Sequence, residues 1–401
     1  ITRRVCDILQ NKRNSAKETR KSGFLLFLLL VAVIVFIAYK AYLKSNEGSF
    51  TSIDIEKLIS KALNESEEAE EIKIVEVKYE IKDKPCFEVY NNWIIKCTIY
   101  SVAALDRNGK EQWSIPVLLN KPMLKSGKSG LLIADIGGRN IYFIKDKNIK
   151  WQKAVDGDII NAEINEDGYV TVVHKMEGYK ALVVLFDPDG QEIFRRYIAE
   201  TFVISGQVAP SGNQVIINCL DVSGASASSY IEFTDLLGNP FAVLAPEEDR
   251  MYPVILCLND GSFSLLDDTT IICYSKNREK SWENEYRKIY ASGVLSGKYF
   301  VIAVKENDSS GRSSLTDILI INKNGQEIGK FAVDGQVYNI FASSEHDIAA
   351  INNKSEVIFI NSKGKIQGRY SSISDIQKVL IFDKNEAAII TKDSITIMEV
   401  K

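Results

Sequence analysis

The sequence is poor in the residues from which catalytic and metal sites are usually built. Among 401 residues there are only two histidines, His174 and His346, and six cysteines, none of them in a C-x-x-C spacing. A metal site needs a cluster of such ligands, and neither histidine has one nearby in the sequence. The G-x-S-x-G and H-E-x-x-H motifs and phosphate-binding glycine loops are also missing. We therefore predict a non-catalytic protein with no metal and no cofactor.

Most of the chain has no excess of positive charge. Eight of the 49 basic side chains and two of the 53 acidic ones fall in residues 1–43, so the remaining chain carries a net charge of −10. Proteins that bind nucleic acid usually present a basic groove to the phosphate backbone. This charge distribution therefore excludes nucleic acid as a partner.

Long hydrophobic runs are rare, with one exception near the N-terminus. The segment FLLFLLLVAVIVFIAY, residues 24–39, has no charged residue, and with its neighbours it can cross about 30 Å of hydrocarbon as a helix. Basic residues crowd its N-terminal side, which the positive-inside rule assigns to the cytoplasm. We predict a cytoplasmic tail at 1–22, a transmembrane helix at 23–43 and an extracytoplasmic remainder. A cleaved signal peptide is disfavoured because no small-x-small cleavage site follows the run.

A short stalk is predicted between the membrane and the rest of the chain, over residues 44–71. The sequence SIDIEKLISKAL, residues 52–63, has apolar residues at the i, i+3, i+4, i+7 and i+8 positions of an amphipathic helix. The acidic sequence NESEEAEE follows as a linker. The helix can serve as a stalk or dimer contact, or as a linker helix that packs on the following domain, and we favour the linker helix.

The rest of the chain repeats one pattern. A run of β-forming residues ends in a turn of Asp, Asn, Lys and Gly type, and an aromatic residue usually follows three or four places later, as in LDRNGKEQW and FDPDGQEIF. The turns recur every 39 to 48 residues, at Gly109, Asn148, Gly190, Gly238, Arg278, Gly325 and Gly364. A period of this size with only strand signals inside it is typical of a β-propeller of four-stranded blades.

The two ends of the repeat region complete each other. After Tyr370 the chain supplies three strands and then stops, whereas residues 72–81, IKIVEVKYEI, form a strand with no blade of its own. If this strand joins the last three, it closes the ring and hides the exposed sheet edges. The sequence therefore predicts an all-β, eight-bladed propeller over residues 72–401. Seven blades is the alternative, because the fifth blade is short and poorly marked.

The sequence predicts that one pair of cysteines lies close together. In CFEVYNNWIIKC, a two-residue turn at Asn91 and Asn92 puts Cys86 opposite Cys97. The pair can form a disulfide or remain as two buried thiols, and we favour the thiols.

The hairpin that contains Asp106, Gly109 and Trp113 resembles the signature of the quinoprotein-like (PQQ-like) β-propeller superfamily. Later blades keep the aromatic position at Trp151, Phe194, Phe241 and Trp282. The whole layout resembles an uncharacterised family of clostridial single-pass membrane proteins. These resemblances imply a propeller fold and a membrane location, and they imply no activity. Quinone-dependent oxidoreductases of the superfamily typically carry adjacent cysteines, which this chain lacks, so that activity is a remote alternative.

Extra length in the repeats is confined to the connections between the second and third strands of two blades. These are residues 220–229 and 306–314, both rich in serine and both on the face of the ring that we predict to point away from the membrane. Loops on a rigid scaffold usually carry recognition. We predict that this face binds a protein partner, which makes the chain a scaffold or sensor of the cell envelope. The candidate residues are Asp221, Ser223, Ser226, Asn307, Asp308 and Arg312. The alternative is a small-molecule or glycan ligand in the central funnel.

Overall fold

The computed structural model describes residues 74–246, 249–305 and 315–400. They form eight antiparallel sheets of four strands each, which we number as blades 1 to 8, with strands a to d from the centre outwards. The predicted cytoplasmic tail, transmembrane helix and stalk lie outside the described residues. The eight-bladed, all-β fold predicted from the repeat is confirmed. The seven-bladed alternative is wrong, because blade 5 has all four strands although two of them are only four residues long.

The strands of blades 1 to 4 are, in order, β2 Cys86–Tyr90, β3 Trp93–Cys97, β4 Ser101–Leu105, β5 Glu111–Pro116, β6 Pro122–Gly127, β7 Gly130–Asp135, β8 Asn140–Lys145, β9 Asn148–Ala154, β10 Ile159–Ile164, β11 Val170–Met176, β12 Tyr179–Phe186, β13 Glu192–Ile198, β14 Phe202–Val208, β15 Val215–Asp221, β16 Ser228–Thr234 and β17 Pro240–Leu244. Those of blades 5 to 8 are β18 Val254–Cys257, β19 Phe263–Leu266, β20 Thr270–Tyr274, β21 Lys280–Glu285, β22 Lys288–Leu295, β23 Tyr299–Lys305, β24 Leu315–Asn322, β25 Glu327–Asp334, β26 Asn339–Ala342, β27 Ala349–Asn353, β28 Glu356–Ile360, β29 Ile366–Ser371, β30 Lys378–Ile381, β31 Glu386–Ile390, β32 Ser394–Glu399 and β1 Ile74–Lys78. A short 3₁₀ helix, Ile81–Asp83, connects β1 to β2.

Blade 8 is assembled from both ends of the described chain. Strand β1 pairs antiparallel with β32, with Val75 opposite Ile397 and Val77 opposite Ile395. The inner strands β2 and β30 are in contact, which closes the ring. The Tyr79 hydroxyl donates to the Thr391 carbonyl over 2.5 Å and fixes the end of the added strand.

Arg107 strengthens the seam between blades 8 and 1. Its Nε lies 2.9 Å from a carboxylate oxygen of Glu386. Its Nη1 donates to the Asn92 carbonyl over 2.6 Å. The guanidinium also lies over the Phe382 ring, 3.4 Å from the ring centroid. One side chain of blade 1 therefore contacts blade 8 through both charge and stacking.

The hydrophobic core lies between the blades. Each of the eight buried clusters in the described residues joins two neighbouring sheets. Strands b and c are buried on both faces, as in β7, where every residue is buried, so their sequences are continuous apolar runs. Outer strands alternate instead, as in β5. The repeat therefore encodes two middle strands that pack on both faces and an outer strand that meets water.

The recurring c–d turn of the repeat has one hydrogen-bond pattern. In blade 1, Asp106 Oδ1 accepts the backbone N–H groups of Asn108 and Lys110 over 2.8 and 3.0 Å, and Gly109 follows with a left-handed φ of 76°. The same pattern occurs at Asp187, Asp235, Ser275, Asn322 and Asn361. An Asx turn followed by a residue at positive φ explains why these residue types recur.

Blade 2 departs from this pattern, and the prediction that Asn148 lies in its turn is wrong. Its turn consists of two residues, Asp146 and Lys147, with φ values of 48° and 70°, and Asn148 already belongs to β9. A two-residue turn with both residues left-handed matches the twist of the hairpin.

The aromatic residue of strand d packs on the turn of the next blade. A Cβ atom built on Gly190 would lie 2.6 Å from Cγ of Trp151. The same close approach joins Phe194 to Gly238 and Trp282 to Gly325. Glycine is therefore required at these turns by contact as well as by φ.

Phe241 does not occupy this aromatic position, contrary to the sequence prediction. Its side chain is exposed, and Ala242 lies at the equivalent register, opposite Phe233. The next blade has Arg278 where blades 1, 3, 4, 6 and 7 have glycine, and its guanidinium lies 5.2 Å from the Phe241 ring centroid. Blade 4 therefore has a small residue at position 242, and the next blade has a large residue at position 278.

Candidate functional site

The ring has two different faces. Because each blade is an antiparallel meander, its a–b and c–d turns emerge on one side, which we call the bottom face. Its b–c and d–a connections emerge on the other, which we call the top face. Bottom-face connections range from the two-residue turn at Asn91 and Asn92 to six residues at 343–348. The top face carries residues 222–227 between β15 and β16 and the longer segment 79–85 between β1 and β2.

The residues predicted as a site lie partly in this top-face segment. Asp221 ends β15, and its carboxylate accepts the N–H of Ser223 over 2.9 Å. The hydrogen bonds from the backbone and side chain of Ser223 lower the pKa of Asp221, so the carboxylate is charged at neutral pH. Ser223 and Ser226 are exposed. The other candidates, Asn307, Asp308 and Arg312, lie outside the described residues.

An exposed aromatic cluster, missed by the sequence analysis, lies on the top face of blades 3 and 4. Tyr179 begins β12, Tyr197 is near the end of β13, and Phe202 begins β14. The two tyrosine rings are 4.9 Å apart between centroids, and Lys180 Nζ lies 4.6 Å from the centroid of the Phe202 ring. We call Tyr179, Lys180, Tyr197 and Phe202 the top-face aromatic cluster. Its three rings keep 45%, 42% and 45% of their surface exposed.

The cluster adjoins the predicted loop. Phe202 pairs with Leu220 across β14 and β15, and Asp221 and Val222 follow directly along the chain. Val222 is exposed as well. The serine loop and the aromatic rings therefore form one continuous part of the top face.

Acidic residues adjoin the cluster along the chain. Glu177 lies in the turn before Tyr179, Glu200 lies between β13 and β14, and Asp221 lies beside Phe202. Lys180 is the cluster's own basic residue. This part of the top face is therefore apolar at its centre and net negative around it.

Other exposed apolar side chains favour the same face. Most of the large hydrophobic residues that the described chain exposes lie in top-face connections or at the top ends of strands. Besides the cluster and Val222 they are Ile81, Tyr100, Leu118, Ile160, Met251, Val254, Tyr338 and Ile373. Leu237 is exposed in a bottom-face turn, and Phe241 is exposed at the start of an outer strand.

A cavity of about 680 Å³ lies in the central channel towards the bottom face, lined by inner strands and a–b turns. Its charged groups bind one another. Lys378 Nζ lies 2.9 Å from a carboxylate oxygen of Glu88, and Lys128 of blade 2 reaches Glu345 of blade 7 over 3.3 Å. The second pair crosses the channel between blades that are not neighbours, so charge in the channel is largely neutralised within the protein.

The described residues contain no group of three or more His, Cys, Asp or Glu side chains arranged to hold a metal ion. His174 is buried, and its Nδ1 lies 2.8 Å from the Lys175 carbonyl oxygen, which accepts its hydrogen bond. His346 lies in the a–b segment that lines the channel cavity. Within the same residues, no helix has the length and apolar character needed to span a bilayer.

Solved structures with the same architecture are distant in sequence. BamB from Moraxella catarrhalis matches with a TM-score of 0.53 and 11% identity, over 82% of this chain and 100% of that one. The C-terminal WD40 domain of Sif2 matches with a TM-score of 0.56 and 8% identity, over 82% and 99%. At such identities the likeness shows the fold alone.

A comparison with curated proteins found no significant match. A sequence-family model does match, over residues 65–400, and it therefore covers the whole propeller. The chain belongs to DUF5711, a family of unknown function.

Proposed function

We propose that this protein is a membrane-anchored, extracytoplasmic β-propeller that binds a protein partner through its top face and has no catalytic role. In this function it is a scaffold or sensor of the cell envelope. The observation that carries the proposal is the top-face aromatic cluster, where three large rings stay about half exposed at the ends of three different strands.

Exposed aromatic rings of this kind are typical of binding sites between proteins. Tyrosine and phenylalanine are enriched at interfaces, and a few central aromatic residues usually supply most of the binding energy. The cluster also stands on rigid strands, so little conformational entropy is lost when a partner orders it. A flexible loop alone would lack this advantage.

Charge around the cluster defines the partner's chemistry. Glu177, Glu200 and Asp221 make the surroundings of the rings net negative. A complementary partner segment presents apolar side chains flanked by Lys or Arg, since opposite charge steers association and disfavours acidic competitors. We therefore propose a basic, amphipathic polypeptide segment as the bound element.

Membrane anchoring is proposed from the sequence. The uncharged run at 24–39 and the basic residues before it support a single span with the N-terminus in the cytoplasm. If the protein is expressed with a C-terminal epitope, external protease should remove that epitope from intact cells stripped of their wall. Complete protection of the epitope, with the protein intact inside the cell, would contradict this topology.

The channel cavity supports a second candidate, a small-molecule or glycan ligand. Its volume of about 680 Å³ is in the range of ligand pockets. Against this candidate, Glu88 and Glu345 already bind lysines of the protein, which leaves fewer free polar groups to orient a ligand. A quinone cofactor has still less support, because no tryptophan is among the described residues that line the cavity.

The proposal can be tested by co-purification of the full-length protein in mild detergent. We expect Phe202→Ser to lose a partner protein that the unmodified chain retains. Phe241→Ser is the matched control, because Phe241 is 51% exposed and Phe202 is 45% exposed, but Phe241 lies away from the top face. Equal recovery of every co-purifying protein by the two variants would overturn the proposal.

A further inference from the structure

Cys86 and Cys97 face each other across the innermost hairpin of blade 1. Cys86 begins β2, Cys97 ends β3, and the two residues are direct partners in the strand register. Asn91 and Asn92 connect the strands with left-handed φ values of 46° and 64°. A two-residue turn of this type allows no slip in register, so the two thiols are held opposite each other.

The backbone geometry allows a disulfide at this position. Directly opposite residues of an antiparallel pair have Cα atoms about 4.5 to 5.5 Å apart, and disulfides are found at Cα separations of about 4.4 to 6.8 Å. Both cysteines are free thiols in the structure. Each thiol lies close enough to the other to shift its pKa. The strand register therefore places the two sulfur atoms where a disulfide can form.

The two thiols have different environments. Cys86 is partly exposed, whereas Cys97 is completely buried. The neighbouring Cys97 thiol lowers the pKa of Cys86; burial and the nearby Glu88 oppose this effect, and the ammonium group of Lys378 adds to it. The neighbouring Cys86 and burial raise the pKa of Cys97. Cys86 is therefore the more accessible and more acidic thiol.

The other described cysteines do not combine exposure with a neighbouring thiol, since only Cys257 among them is partly exposed. Desolvation is the largest cause that raises the pKa of Cys219, Cys257 and Cys273, to about 11, 12 and 11. None of the three has another cysteine as its partner in a paired strand. They are structural thiols, and they provide internal controls.

We propose that Cys86 and Cys97 form a reversible dithiol–disulfide pair, in which Cys86 is the attacking thiol and Cys97 the resolving thiol. The oxidant is a small-molecule disulfide of the glutathione class. The Cys86 thiolate attacks one sulfur of that disulfide and releases one thiolate, which leaves a mixed disulfide on Cys86. Cys97 then loses its proton and attacks the Cys86 sulfur, which releases the second thiolate. Two protein thiols are thus oxidised, and one small disulfide is reduced to two thiols.

The bond would tie strand a to strand b beside the seam that closes the ring. Blade 1 contacts blade 8 through the buried side chains of Phe87 and Ile94, which lie in the same hairpin. The disulfide would therefore add a covalent link beside the seam that closes the ring, and this link would depend on the redox state of the surroundings.

The test exposes the folded full-length protein to glutathione disulfide, followed by acid quenching, alkylation and tryptic mass spectrometry. Trypsin cleaves after Lys96, so the disulfide joins two separate peptides, residues 83–96 and 97–107. We expect this linked species to form and to disappear on reduction, and Cys219→Ser to leave it unchanged. Failure to detect the linked species at any glutathione ratio would overturn the proposal.

Two single variants test the assigned roles. In Cys97→Ala, Cys86 should accumulate the glutathione adduct. In Cys86→Ala, Cys97 should react at least about tenfold more slowly, because it stays completely buried and burial raises its pKa, and one pKa unit changes the thiolate fraction about tenfold. Cys97→Ser provides a second form if the alanine variant folds poorly. Equal reaction of Cys86 and Cys97 in the two variants would contradict the roles of attacking and resolving thiol.

Discussion

Replacement of Trp151 by alanine should destabilise the ring more than the same change at Trp113, although both residues occupy the same place in the repeat. Trp151 is 7% exposed and stacks on Phe143 with ring centroids 5.3 Å apart and planes 5° apart. Its Nε1–H donates to the Pro188 carbonyl over 3.3 Å, and Gly190 lies against its ring. Removal of a buried, stacked tryptophan costs about 3 to 5 kcal/mol.

Trp113 has weaker support from its surroundings. Its side chain is only partly buried, and its Nε1 finds no hydrogen-bond acceptor in the described part of the chain. The next blade has the Asp146 and Lys147 turn in place of a glycine. We expect Trp113→Ala to cost about 1 to 2 kcal/mol. Urea unfolding followed by circular dichroism measures both variants, and a loss at Trp113 equal to or larger than that at Trp151 would refute the argument that glycine-backed stacking joins the blades.

Two further predictions concern contacts between blades, and a third concerns the end of the strand that closes blade 8. Arg107→Met should lower the free energy of unfolding by only about 1 kcal/mol, because its ion pair with Glu386 is partly exposed. A double-mutant cycle with Glu386→Gln should show coupling between the two residues, and additive losses would contradict this. Arg196→Met should cost about 2 to 3 kcal/mol, because it leaves the Glu232 carboxylate, 7% exposed, without its partner; urea unfolding measures it, and an unchanged midpoint would argue against the bridge. Burial raises the pKa of Tyr79 to about 12, so its contribution to stability is present below about pH 10 and is lost as pH rises to 12. Tyr79→Phe should therefore unfold with a shallower alkaline pH dependence, and equal slopes would contradict this.

The turns were predictable because they are local. An Asp or Asn followed three residues later by Gly carries both the side-chain hydrogen bonds and the left-handed residue within five positions, as at Asp106 and Gly109. The turn of blade 2 escaped prediction because Asp146 and Lys147 adopt left-handed φ values without a glycine to mark them. Phe241 was misplaced by one residue, because the sequence does not show that Arg278 of the next blade lies over Phe233, the residue paired with Ala242.

The top-face aromatic cluster could not be predicted in the same way. Tyr179, Tyr197 and Phe202 belong to three strands of two blades, and only the ring places their exposed ends together. Each residue reads alone as an ordinary β-former at a strand end. Their shared position at the top ends of their strands is the signal that could have indicated them, once strand directions were assigned. The predicted residue Asp221 is next to the cluster because Leu220 pairs with Phe202.

Site-specific photo-cross-linking in intact membranes tests the partner-binding face most directly. A photoreactive amino acid at position 197 should cross-link a single protein, and Phe202→Ser should abolish that product in the same chain. The same amino acid at position 241, on the outer strand of blade 4, should give none. A product at 241 as strong as that at 197, or one at 197 that is unaffected by Phe202→Ser, would contradict the assignment of the top face as the binding surface.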